Sequence, residues 1–309
     1  MPPRLRSALS AVLIALSCFL VPFGALAAWA AYGLTDTGRY VTTMAPLAAD
    51  PDVREAVADT VGDDIWHAVD QHLDVRPARA SVRPFVHDAV RSFTRTQAFR
   101  LAWDTGNRVT HDAILRALRE EDGHDRPVTV DLAPVTAQVK RQLQQDHVPL
   151  AQRIPVQHTA IAVLPAGELA TLRKGFHVLE VAAFWLPVAA VAFAVIGIAL
   201  AVRRRRAIAA TALGTALGGA LLGLALTVGR GLTLAGLPAD VPHPAAGAIY
   251  DALTGTLRTV AWLLLGLGLA VACTAWLTRY LRPARHGRRA QGPAGPAPAP
   301  VQGPTRARA

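Results

Sequence analysis

Asp104, Asn107 and His111 stand at i, i+3 and i+7 within FRLAWDTGNRVTHDAILRAL. On a helix that spacing puts a carboxylate, a carboxamide and an imidazole on one face. Those groups are the right types to ligate a metal or to hold a polar substrate group. A metal site needs three or four ligands, however, and no HExxH or similar pairing accompanies them. The simpler expectation is hydrogen bonding at a surface or between helices, beside a buried Trp103. His67 and His72 are not i, i+4 apart and His87 stands alone, so all three read as surface residues.

A second stretch, DPDVREAVADTVGDD, carries Asp50, Asp52, Glu55, Asp59, Asp63 and Asp64. Calcium would be the cation for so many carboxylates, but the D-x-[DN]-x-[DN]-G loop is missing. Acids near a helix start are favoured by the macrodipole in any case, so a solvated helix face is expected. The chain has no Walker loop, GxSxG, SxxK or strand-following GxGxxG. Ser81 and Ser92, the serines of the long polar segment, have no activating context. The sequence therefore leans away from an enzyme, and no catalytic, cofactor or metal residue is assigned.

The elements that carry these residues are set by hydropathy. The chain has 309 residues, is 52% apolar and has a formal charge of +10. Thirteen basic residues and no acid lie in residues 1–8, 203–206 and 279–309; the rest of the chain holds 22 acids against 19 bases. Basic charge gathered this way marks a membrane protein's flanks rather than a nucleic-acid surface. Cys18 and Cys273 both lie in apolar stretches, which excludes a disulfide framework in the polar part and any CxxC site.

Four stretches reach the ~20 apolar residues needed to cross a bilayer as a helix. They are 9–31, 178–202, 207–228 and 257–276. The first begins after Arg4 and Arg6 and contains Ala25-Leu26-Ala27, an A-x-A pattern compatible with a cleaved signal peptide. Its length, and the apolar residues beyond that site, favour an uncleaved anchor. The excess of arginine at residues 1–8, in the run Arg203, Arg204, Arg205 and Arg206, and in the tail places those segments in the cytoplasm by the positive-inside rule. Residues 33–177 and 229–256 then face outward, and the expected location is the cell membrane, as a multi-pass protein.

Within 33–177, Val82, Phe85, Val86, Ala89, Val90 and Phe93 trace an apolar helical stripe with Ser81 as N-cap. A preceding helix near 52–73 carries Val53, Val57, Val61, Ile65, Val69 and Leu73, and a third covers about 97–120. PVTVDL (127–132) and TAIAVL (159–164) alternate like a pair of short strands, with Asp131 capping the next helix. A last helix opens at Pro165 and Glu168 and runs into the second span, with Gly175 as the sole weak break signal. The segment 277–309 is a basic, Pro/Ala-rich tail that reads as disordered.

The stretches TGRYVTTMAPLAADPDVREAVAD, FRLAWDTGNRVTHDAILRAL and VTVDLAPVTAQVKRQL, with terminal helices split by an arginine run, resemble a group of integral membrane proteins from Streptomyces and related actinobacteria. That group has no assigned activity, so the resemblance implies architecture and host and carries over no functional residue.

The expected fold is mainly α: a four-helix transmembrane protein with a mostly helical extracytoplasmic domain, holding a two-stranded β element, between the first two spans. The expected role is envelope binding, sensing or scaffolding without catalysis. An auxiliary subunit of a transporter or secretion system is the alternative, and an envelope enzyme a weaker one. Partners are the lipid bilayer and a membrane or envelope protein, with no nucleic acid. Gly214 and Gly218, and Gly219 and Gly223, are two i, i+4 pairs that let helices approach closely, within the chain or across a homo-oligomer. Arg230, Arg258 and Glu180 lie near the outer ends of spans, where snorkelling suffices. Arg203, Arg204, Arg205 and Arg206 orient the chain and can meet anionic headgroups at ~1 kcal/mol each.

Overall fold

The long apolar runs form four helices long and apolar enough to cross a membrane: α1 (Pro3–Gly33), α7 (Ala166–Leu200), α8 (Arg204–Ala235) and α9 (His243–Leu281). Between α1 and α7 lie α2 (Thr37–Met44), α3 (Pro51–His72), α4 (Arg79–Phe93), α5 (Gln97–Arg119), β1 (Val128–Asp131), α6 (Ala133–Gln145) and β2 (Ala160–Leu164). The computed structural model describes residues 3–72, 79–120, 128–148, 151–164 and 166–281. Leu73, Pro165 and the tail from 282 onward therefore lie outside the described residues.

Helix order in the bundle does not follow the chain. α1 lies between α7 and α8, and α8 packs between α1 and α9. The α7–α8 turn (residues 201–203) thus joins two helices that a third separates. Side chains explain how α1 fits there. Ser10 and Ser17 each donate a 2.7 Å hydrogen bond to an α7 carbonyl, Gly197 and Ala190 respectively. Seven residues apart, they lie on one face, and both are buried. Pro22 of α1 and Pro187 of α7 are each met by a glycine. A Cβ on Gly24 would sit 3.2 Å from Pro187 N, and one on Gly218 would sit 3.3 Å from Pro22 Cδ.

The helices outrun a bilayer. At 1.5 Å per residue, α7 is about 52 Å long and α9 about 58 Å, against a hydrocarbon core of ~30 Å. The surplus of both lies at the end opposite the arginine run, where the helical domain sits. The segment 229–256, expected as a loop, is mostly helix: α8 continues to Ala235 and α9 starts at His243. α7 runs through Gly175 without a break.

The domain is not tethered by a flexible link. Met44, Leu47 and Val53 share one buried cluster with Ala245 of α9, and Ile249 and Leu253 pack against it. A second cluster joins Ala113 of α5 to Val128 and Val130 of β1. β1 and β2 pair antiparallel, Val130 opposite Ile161, with a register irregularity after Val128. Asp131 Oδ1 accepts the Ala133 N–H at 2.9 Å, starting α6 as its position suggested.

Two sequence expectations need correcting. α4 begins at Arg79, so Ser81 is inside the helix rather than its N-cap. The apolar stripes of α3 and α4 are only partly covered: Val53 and Val90 are buried, but Val61, Ile65 and Phe85 are exposed, Phe85 by 73%. The cause is local. Gly62 lets the His87 ring press against the α3 backbone, so α3 turns Ala58, Gly62 and Trp66 inward and Val61 and Ile65 outward.

Candidate functional site

The residues singled out by the 104–111 spacing find different partners. Asn107 Nδ2 donates to Trp103 O at 2.9 Å, along its own helix. Trp103 is half-buried rather than buried, with its indole N–H donated to Met44 O at 2.9 Å. Asp104 is half-buried, and burial pushes its carboxyl above the usual aspartate value, with Arg108 pulling the other way. His111 leaves the other two and enters the junction between the domain and α1.

There, His111 is buried and fully engaged. Its Nε2 is 2.9 Å from Leu34 O, just past the end of α1, and its Nδ1 is 3.1 Å from Thr37 Oγ1. Tyr40 stacks on the ring at a centroid distance of 4.2 Å. Thr37 Oγ1 also donates to Asp112 Oδ1. A carbonyl at Nε2 requires a proton there, which fixes the neutral tautomer. Thr37 then has one proton for two acceptors, His111 Nδ1 and Asp112. An open polar cavity of about 690 Å³ lies alongside, with Asp36, Asp112, Arg116 and Arg119 in its wall.

Several acids of residues 50–64 have partners within the protein. Asp50 Oδ1 caps α3, accepting from Asp52 N and Val53 N. Glu55 meets Arg91 of α4 at 2.7 Å, and Asp63 meets Arg83 at 3.0 Å. His87, which the sequence placed at the surface, is wedged between α3 and α4 with Nε2 3.2 Å from Asp63 Oδ1. That nitrogen and oxygen are close but poorly aligned, so the contact is an ion-pair distance rather than a hydrogen bond. Arg83 and His87 hold the Asp63 carboxyl below its usual value. Among the described residues, no group of three or more His, Cys, Asp or Glu is arranged to hold a metal.

At the domain end of the bundle, Asp251 of α9 serves two arginines. Arg230 of α8 lies 3.1 Å from Oδ2, and Arg258, two turns along α9, lies 3.0 Å from Oδ1. From the sequence alone both arginines are expected to snorkel to the interface, with no assigned partner. The signal was present, since Asp251 and Arg258 are seven apart and share a helix face once α9 is known to begin at His243.

The glycine pairs of α8 face two neighbours within the chain. A Cβ on Gly214 would collide with Cys18 Sγ of α1, and one on Gly219 would sit 2.7 Å from Ala261 O of α9. Gly218 also faces α1, while Gly223 has ordinary room, 3.9 Å from Ala261 Cβ. At the far end of the bundle, Arg204, Arg205 and Arg206 form the first turn of α8 and Arg203 precedes it. That is the positive end of the helix dipole, where acids are favoured and cations are not. The turn contains no acid, and all four arginines are exposed.

No family model, no curated protein and no solved structure matches the chain.

Proposed function

We propose that this chain is a multi-pass protein of the cell membrane that binds, senses or scaffolds a partner through its helical domain, without catalysis. The arginine run, residues 1–8 and the tail face the cytoplasm, and the domain faces outward, as the positive-inside rule requires. The first helix stays attached as an anchor. Its two serine hydrogen bonds to α7 and its place between α7 and α8 support that reading.

One observation carries the functional reading: the domain and the spans share a core. Met44, Leu47 and Val53 pack with Ala245 of α9, His111 binds the end of α1, and α7 is one helix from β2 to the arginine turn. Arg173 of α7 also donates to Ala117 O of α5 at 2.8 Å. A partner that shifts the domain must therefore shift α1, α7 and α9. A packed connection of that kind suits sensing or scaffolding, which a flexible tether would not.

The test is photo-cross-linking in intact membranes, read by mass spectrometry, with probes at Phe85 on the domain and at Leu217 and Leu263 on the spans. Cysteines at Phe85 and Val202, labelled with an impermeant reagent, establish sidedness in the same cells. The expected result is a protein captured from Phe85, with Phe85 labelled from outside and Val202 protected. Capture of a transport ATPase from the span positions, with nothing at Phe85, would replace this reading with that of a transporter subunit.

A further inference from the structure

We infer that the arginine turn is a binding site for an anionic membrane phospholipid, with its phosphate held by Arg203 and Arg206 and its acyl chains lying in grooves on either side of α8. This rests only on the four long helices crossing a bilayer, and not on the domain having a partner.

Two cavities flank the turn. One, about 700 Å³, lies between α8 and α9 and is lined by all four arginines together with Leu213, Ala275 and Trp276. The other, about 770 Å³, lies between α1 and α8; Arg203, Arg206 and Arg4 line it with Ile14 and Ala210. Arg203 and Arg206 belong to both, whereas Arg204 and Arg205 line the first alone.

Charge complementarity selects the occupant. None of Arg203, Arg204, Arg205 and Arg206 has an ion pair or a side-chain hydrogen bond among the described residues. Four guanidiniums in sequence repel one another and the helix dipole, and an anion relieves both. Guanidinium also matches phosphate in bidentate geometry. The apolar walls below the arginines suit acyl chains, and the exposed Trp276 suits the level of the headgroups. Moving an acyl chain from bulk lipid into a groove is nearly neutral, because both are apolar. The grooves therefore fix position, and the headgroup charge sets the preference.

The measurement is native mass spectrometry of the full chain in detergent with phosphatidylglycerol or phosphatidylcholine at equal mole fraction. The expected result is retention of phosphatidylglycerol over phosphatidylcholine. The double variant Arg203→Gln/Arg206→Gln should lower that retention by roughly thirty-fold, about five-fold per charge and compounded over two. The variant Ala210→Leu/Ala275→Leu keeps every charge and fills both grooves; it should also lose the lipid. Thermal melting confirms that each variant is folded. Equal retention of the two lipids would overturn the proposal. So would unchanged retention in the groove-filled variant, which would mean that the grooves hold no acyl chain, or displacement by millimolar inorganic phosphate, which would mean a site for a solvent anion. The assay is blind to protein partners, so it can fail while the proposed function stands, and the reverse.

Discussion

Arg230 of α8 and Asp251 of α9 stand side by side at the domain end of the bundle, Nε 3.1 Å from Oδ2. Arg258 takes the other oxygen, so one carboxylate neutralises half of two guanidiniums. All three side chains are a little over one-third exposed, which puts the interaction between a surface pair and a buried one. Asp251→Asn should cost about 1–2 kcal/mol, more than Arg230→Gln or Arg258→Gln alone. Thermal unfolding in detergent reads this, and equal losses from all three would remove the central role of Asp251.

His111→Leu keeps the volume but leaves Leu34 O without its partner, while Thr37 keeps Asp112. An unsatisfied buried polar group costs ~1–3 kcal/mol. The loss should be local to the junction. Amide exchange should speed up through α2 and the end of α1, with the arginine end of α8 unaffected. A uniform change along the chain would mean that His111 supports the whole fold rather than this joint.

Among the glycines, space decides the sign. Gly219→Ala pushes a methyl into the α9 backbone and should destabilise by about 1–3 kcal/mol. Gly223→Ala, with ordinary van der Waals room, should be near neutral. Gly175→Ala meets nothing within 4 Å and should stabilise α7 by ~0.5–1 kcal/mol. Spin labels at Leu172 and Val181 should give one narrow distance distribution, with backbone positions about 13 Å apart. A broad distribution would show a hinge at Gly175 and break the mechanical link through α7.

Asp131 gives a pH signature. The Ala133 N–H and His158 hold its carboxyl below the usual aspartate value. Because the folded value is the lower one, the stabilisation is fully present above the unfolded value of ~3.9 and is lost as pH falls through the folded one. Asp131→Asn should thus be less stable than the parent at pH 7, with the gap closing on acidification below about pH 4. A gap that stays constant down to pH 3 would mean the carboxylate's charge contributes nothing.

What was legible in the sequence follows from the range of the signal. The four long apolar helices, the two strands and the unbroken α7 are written in local periodicity and apolar length, and the structure has them. The partners of His111 were not legible, because Leu34 and Thr37 lie more than 70 residues away and nothing local announces them. The outward turn of Val61 and Ile65 depends on His87 finding Gly62, again a pairing between helices. The charged triad was missed because a hydropathy window stops where Asp251 and Arg258 lower the average, although the helix does not stop there.

The place of α1 between α7 and α8 also sets an order of construction. α1 is made first, yet the residues that accept from Ser10 and Ser17 are made more than 170 positions later. Until Ala190 and Gly197 have been made and packed against α1, both hydroxyls must bond back to their own helix or to water. The bundle therefore closes only after the whole domain has been synthesised, and the first helix waits as an unfinished half of its own interface.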